Sequence, residues 1–255
     1  HYLPLSALPA PDSDALLINS HEIIYEPSAS TLNLLAKSSV TAKIPKKDLL
    51  VFADPVFSPN DSRLVNKNGD TVSNPQVLGL NIRDFRLMDS NGNIPRLFAS
   101  KDEADSIIGT LGKSRTTAAV GYEANRERVL SADVSDYRIL HFATHGLIDL
   151  TRPEVSGIVL SQFDETGETR EGFLRLQDIY AMNLSADLVV LSACQSGVGK
   201  EIKGEGLMSL NNAFLQVGAK SVMSSAWKVD DDATAELMKL FYANLFEKGL
   251  TPSEA

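Results

Sequence analysis

The sequence predicts an α/β fold: a mostly parallel sheet flanked by helices on both faces. Three observations point there. Short, wholly apolar runs such as Leu49-Leu50-Val51-Phe52-Ala53 and Leu188-Val189-Val190 read as strands buried on both sides. Segments with helical apolar spacing separate them, so each strand is followed by a crossover and not by a tight hairpin. At 255 residues with 43% hydrophobic and 22% charged, the chain is also long enough to bury a large core.

Taken in order, Ala15–Ile18 and Glu22–Tyr25 read as a short strand pair, and Leu49–Ala53 as a buried strand stopped by Pro55. Residues 57–93, rich in Asn, Asp, Ser and Gly, read as an irregular insertion with some strand content around Val77–Leu80. Ser100 and Glu103 form a capping-box pattern for a helix that turns Ala104, Ile107, Ile108 and Leu111 to one face. Thr116–Val120 resumes strand character, Glu123–Leu130 is a short helix, and Arg138–Gly146 is a strand ending in histidine and glycine. Ile158–Leu160 is a strand, Asp164–Glu171 a polar loop or hairpin, Leu176–Met182 a short helix, and the run before Cys194 the next strand. Leu207, Leu210, Phe214 and Val217 have helical spacing, with Gly218 placed to stop that helix. Lys220–Ala226 is a strand, and a last helix from Asp230 is expected to turn Leu237, Leu240, Phe241 and Leu245 inward.

The chemistry concentrates at two strand ends. Cys194, the single cysteine, lies in Leu191-Ser192-Ala193-Cys194-Gln195-Ser196-Gly197, and His145-Gly146 closes an earlier strand. In parallel sheets, sites form beyond the carboxyl ends of the strands. A free thiol has a pKa of about 8.5 and is mostly protonated at neutral pH, so a nucleophilic cysteine needs a base. His145 fits that role, taking the thiol proton and later returning it to the leaving amine. The backbone amides of Gly146 and Cys194 are candidate donors to the oxyanion. On its own, Cys194 also reads as a small buried hydrophobe, and His145 as a strand-end histidine with ordinary partners. His141 lies four residues earlier on the same strand face, so His141, His145 and Cys194 could formally bind zinc. No fourth ligand or Cys-x-x-Cys spacing supports that reading, and no cofactor is expected.

His-Phe-Ala-Thr-His-Gly and Leu-Ser-Ala-Cys-Gln-Ser-Gly, followed by Gly204-Glu205-Gly206-Leu207 and Ser225-Ala226-Trp227-Lys228-Val229-Asp230-Asp231, resemble the CHAT family. These are caspase-like proteases of the separase and caspase-hemoglobinase clan, frequent in bacteria and usually fused to helical repeats. The resemblance begins at Leu3-Pro4-Leu5-Ser6-Ala7-Leu8, runs through Tyr25-Glu26-Pro27-Ser28-Ala29-Ser30 and reaches Leu250-Thr251-Pro252-Ser253-Glu254-Ala255. It implies a caspase-hemoglobinase-like sheet and one protease unit over residues 1–255. Residues 1–93 would be a degenerate first half supporting the catalytic residues 94–255. A chain opening at His1 inside a family motif reads as a fragment of a longer protein.

The implied function is a cysteine endopeptidase that cleaves a protein substrate through a Cys194–His145 dyad, serves bacterial signalling or defence, and is regulated by helical repeats or a partner outside this chain. In the clan, the residue two before the cysteine helps floor the pocket for the side chain preceding the cut. Here that residue is Ser192, which carries no charge, so charge selection must come from elsewhere. Asp149, Glu154, Asp230 and Asp231 are acidic candidates for it, with solvated loops or a helix cap as their ordinary role. Trp227 is placed on a strand that would face substrate backbone, or else is a core tryptophan. Two other readings use the same residues: a catalytically silent interaction scaffold, and a cysteine acyltransferase or non-peptide hydrolase.

Composition narrows the partners. A net charge of −9 argues against broad nucleic-acid binding or attachment to an anionic membrane. No run of about 20 apolar residues could span a bilayer, and no signal-peptide pattern opens the chain; a cytoplasmic location is expected. Gly199-Lys200 lacks the glycine and the Ser or Thr of a phosphate-binding loop, because those positions are Cys194 and Glu201.

Overall fold

In the computed structural model, five parallel strands run in the order β2-β1-β3-β7-β8: β1 (Lys47–Ala53), β2 (Thr116–Val120), β3 (Tyr137–Ala143), β7 (Leu188–Leu191) and β8 (Val222–Ser224). The structure describes residues 8–11, 14–21, 44–64, 93–147, 156–192, 205–225 and 231–255, without the side chains of 205–209 and 231. β1 and β3 are buried on both faces because their residues alternate between two cores. On one face, Leu50, Phe52, Leu140 and Phe142 pack against α3 (Leu176–Tyr180) and α4 (Glu205–Gln216) through Ile179, Leu210 and Phe214. On the other, Leu49, Val51, Ile139 and Val190 pack against α1 (Phe98–Leu111) and α5 (Asp231–Glu247) through Ile107, Met238, Phe241 and Tyr242. Stacked Phe52 and Phe142 rings, 5.0 Å apart, join adjacent strands on the first face.

A second, antiparallel sheet stands beyond the carboxyl edge: β4 (Gly146–Leu147), β5 (Gly157–Val159) and β6 (Phe173–Arg175). Ile158 is therefore in a strand as expected, but outside the main sheet. α2 (Arg126–Val129), the single turn within the expected Glu123–Leu130 helix, is capped by the Asn125 side chain.

Several local expectations are corrected. Ala15–Ile18 is not a strand: Leu17–Asn19 forms a 3-10 turn, and the Asn19 side chain accepts from the Leu16 amide. Its expected partner Glu22–Tyr25 lies outside the described residues, as does Val77–Leu80. α1 starts at Phe98, two residues before the expected cap. Ser100 is inside its first turn, where its hydroxyl donates to the Leu97 carbonyl, and Glu103 reaches into the core instead of back to the cap. On α5 the buried face is Met238, Phe241 and Tyr242, while Leu237 and Leu240 are exposed. The buried stripe needs Tyr242 against β3, which rotates the two leucines outward. Gly218 does end α4, at φ 112, and a side chain there would meet the Leu184 carbonyl.

The strand order changes direction between β1 and β3. From β1 the chain winds outward to β2, then returns past β1 to β3, β7 and β8. Such a switch point opens a crevice at the carboxyl edge of the sheet, bordered by the residues that follow β1 and β3.

Candidate functional site

His145 stands at that edge, two residues beyond β3, and its placement is fixed from several sides. The Val159 amide donates to the His145 carbonyl at 2.8 Å, and the Thr144 hydroxyl donates to the Val159 carbonyl at 2.6 Å. β5 thus holds the backbone where β3 ends. The ring lies 5.1 Å from that of Phe57, which packs with Ile94, Leu147, Val159 and Phe173. The imidazole is fully buried, and its Nε2 donates to the Pro95 carbonyl at 2.8 Å.

That one hydrogen bond sets the tautomer, because a carbonyl can only accept. The proton sits on Nε2 and the lone pair on Nδ1. Nδ1 is buried and has no hydrogen-bond partner among the described residues. Burial lowers the histidine pKa from 6.5 to about 4, outweighing the raising effect of the Pro95 hydrogen bond. The ring is neutral at physiological pH, with a lone pair free to accept a proton. A proton on Nδ1 would leave a buried cation, so its uptake becomes favourable when an anion forms beside it.

The other sequence-level candidates divide into three groups. Gly146, the first residue of β4, is buried directly after His145, so its amide belongs to the same turn. Ser192 follows β7 at the same edge, and its amide donates to the Phe142 carbonyl at 3.0 Å. Its hydroxyl turns inward and donates to Glu103 Oε1 at 2.5 Å. Cys194, Trp227 and Asp230 lie outside the described residues, as do Asp149 and Glu154; Asp231 opens α5.

His141 is held quite differently. It is fully buried, with Nδ1 2.9 Å from the Tyr242 hydroxyl and Nε2 2.9 Å from Glu103 Oε1. The Nε2–Glu103 contact is close enough for an ion pair but lies off the line of a hydrogen bond. Burial and the Glu103 charge push the Tyr242 phenol well above its usual range, so the tyrosine stays neutral and can donate to Nδ1. Among the described residues, no three His, Cys, Asp or Glu side chains gather to hold a metal ion.

Sequence reading did not single out the groups that orient His145. The Pro95 carbonyl is a backbone atom and leaves no side-chain signal. The nearest written cue is Asp54, an acid between a wholly apolar strand and Pro55. It is 1% exposed and forms two-pronged contacts with Arg96, at 2.7 Å from Nε and 2.6 Å from Nη2.

The CHAT domain family matches residues 1–255, the whole chain. Tetratricopeptide repeat protein 28 of Mus musculus is 29% identical over 176 residues, covering 58% of this chain and 7% of that protein. The Homo sapiens protein of the same name is 26% identical over 285 aligned positions, covering 100% of this chain and 10% of its own length. The chain thus spans a tenth or less of these relatives. Among the described residues, no helix is long and apolar enough to cross a membrane.

Proposed function

The chain belongs to the CHAT domain family, a caspase-like family, and from that premise we propose that it is a cysteine endopeptidase in which Cys194 attacks the substrate carbonyl and His145 is the general base, then acid. The observation that carries this reading is the state of His145: neutral, with Nε2 committed to Pro95 and a buried Nδ1 lone pair left unpartnered. A purely structural histidine at this depth would be expected to have a polar group beside each nitrogen, as His141 does.

Strand register supports the pairing. β3 and β7 pair residues 49 positions apart, as Ile139 does with Leu188 and Phe142 with Leu191. His145 and Cys194 have the same separation, so three more residues of matched register would bring them level. In the proposed cycle the thiol proton moves to Nδ1 as sulfur attacks the carbonyl carbon. The oxyanion is received by the Gly146 and Cys194 amides. The proton on Nδ1 then passes to the leaving amine, giving an acyl-enzyme and the first product. Water adds to the acyl group with Nδ1 again taking a proton, and collapse frees the acid and the thiol. Throughout, Pro95 holds the Nε2 proton and stabilises the imidazolium in each half-reaction.

The rest of the reading follows the same premise. Residues 1–93 support the protease unit, Ser192, Trp227 and Asp230 border the substrate, and the location is cytoplasmic. Helical repeats outside this chain regulate it in signalling or defence; the repeats in the names of the tetratricopeptide repeat relatives support only the helical-repeat part of that reading. The test is the pH dependence of Cys194 alkylation in the wild type and His145→Ala, followed by a peptide-library screen. Thiol reactivity below pH ~8.5 that is lost in the variant, with cleavage that Cys194→Ala abolishes, is expected. An ordinary thiol indifferent to His145, with no cleavage, would overturn the dyad and favour the scaffold.

A further inference from the structure

We propose that Asp54, acting through Arg96, is a positioning residue that sets the orientation and tautomer of His145. The inference rests on reading His145 as the base, but its geometry stands independently.

The Nε2 partner of His145 is the carbonyl of the Pro95–Arg96 peptide, so whatever fixes that peptide aims the imidazole. Pro95 lies in an irregular stretch just before α1, outside any strand. The restraint comes from Asp54, the residue after β1. Its carboxylate takes the Arg96 guanidinium on both oxygens, at 2.7 Å and 2.6 Å. A forked pair of this kind fixes the plane and direction of the arginine as well as its charge. Two further groups fix Asp54. Its amide donates to the Ser100 hydroxyl at 3.1 Å, and that hydroxyl donates to the Leu97 carbonyl at 2.6 Å. Arg63 Nη1 donates to both Asp54 Oδ2 and the Asp54 carbonyl at 2.8 Å, while Arg63 also pairs with Asp61 at 2.6 Å.

The backbone adds a second, independent sign. Asp54 is the single non-glycine residue with positive φ among the described residues, at 49°. That left-handed conformation is tolerated by Asp and Asn but costs energy for most side chains. Strained backbone tends to persist at functional sites where the surroundings over-determine it. Here the turn directs a buried carboxylate, within the crevice between β1 and β3, at the arginine next to Pro95.

A plain loop staple would make the same contacts, so the deciding readout is His145 itself. The test compares the 255-residue chain with Asp54→Asn, which keeps the left-handed turn and the side-chain shape but removes the charge, and with Arg96→Lys, which keeps the charge but not the fork. Long-range nitrogen–proton NMR of the ring should show a single Nε2–H tautomer in the wild type. Both variants are expected to lose it for a mixture of tautomers, and to lower kcat about tenfold with KM within twofold, as small misplacements of a reacting group do. An unchanged Nε2–H tautomer in variants that merely melt at lower temperature would overturn the proposal. If Asp54→Asn does not fold, Arg96→Lys decides alone. The tautomer answers even if no peptide is cleaved, so failure of the positioning role and failure of the peptidase reading are distinguishable.

Discussion

Two histidines four residues apart on one stretch of chain are held in different ways. His141, within β3, faces α1 and α5 and is enclosed by Tyr242 and Glu103, with both ring nitrogens close to a polar group. His145, just past the strand end, has one nitrogen pinned by Pro95 and the other buried without a partner among the described residues. Burial alone does not separate them, since both are fully enclosed. What separates them is their surroundings: each ring nitrogen of His141 has a polar group within 2.9 Å, whereas His145 Nδ1 has no hydrogen-bond partner among the described residues. A buried polar atom left unpaired is costly, and on the proposed reading His145 Nδ1 is kept open to take the thiol proton. His141 ties α1, β3 and α5 together, and through Ser192 the same Glu103 reaches the end of β7.

The largest effect should come from removing the poised ring. His145→Ala is expected to lower peptide cleavage about ten-thousandfold, the upper range for losing a general acid–base, with Cys194 alkylation losing its low-pH component. A thermal melt should move far less than activity does. Equal losses of fold and activity would erase the contrast between the two histidines.

The mirror experiment is His141→Leu, which leaves the Tyr242 hydroxyl without its Nδ1 partner and the buried Glu103 carboxylate without its Nε2 contact. Leaving a buried polar group unpaired costs about 1–3 kcal/mol, read as a lower urea midpoint. Replacing Glu103 by Leu in the same chain should recover much of that loss, because the uncompensated charge goes with it. A double variant no more stable than the single one would show that His141 works through Tyr242 instead.

Much of this contrast was hidden in the sequence, for identifiable reasons. Strands β1, β3 and β7 were legible because their apolar runs are buried on both faces and stopped by Asp54-Pro55, His145-Gly146 and Ser192. The rotation of α5 was not legible, since Leu237 and Leu240 fit a helical stripe as well as Met238 and Tyr242 do, and only packing against β3 chooses. Glu103 read as a capping residue because its spacing from Ser100 satisfies that pattern. Its actual role depends on His141 and Ser192, 38 and 89 positions away in sequence. His145 stood out in the sequence by its motif, whereas the groups around its ring include a backbone carbonyl and, next to that carbonyl, a long-range ion pair that no local spacing encodes.

Acid should sharpen the comparison further. The folded-state pKa of His145 is lowered from 6.5 to about 4, so between those values the unfolded chain binds a proton that the native chain does not. Stability therefore falls as pH drops from 6.5 toward 4, and this component is flat above 7. Near pH 4.5 the loss amounts to roughly 2.5 kcal/mol. Urea unfolding at pH 7 and 4.5 should show that this component is missing from His145→Ala, while acid effects from carboxylates remain. An identical pH slope in the variant would mean that the ring titrates normally.

The smallest expected effect concerns Ser192. Its hydroxyl is committed to Glu103 and is 8% exposed as a residue, so Ser192→Ala removes one hydrogen bond to a buried charge. Such bonds contribute about 1.5–3 kcal/mol, and the low end is expected because Glu103 keeps its contact with His141. The substitution takes away no charge that a substrate could meet directly. Peptide-library profiles of the wild type and the variant should therefore show the same charge preference at the residue before the cut, with only the melting temperature lowered. Strict arginine cleavage abolished by Ser192→Ala would reverse the assignment: the hydroxyl would then be relaying the Glu103 carboxylate into the substrate pocket, and the structural network around His141 would also be the specificity device of His145.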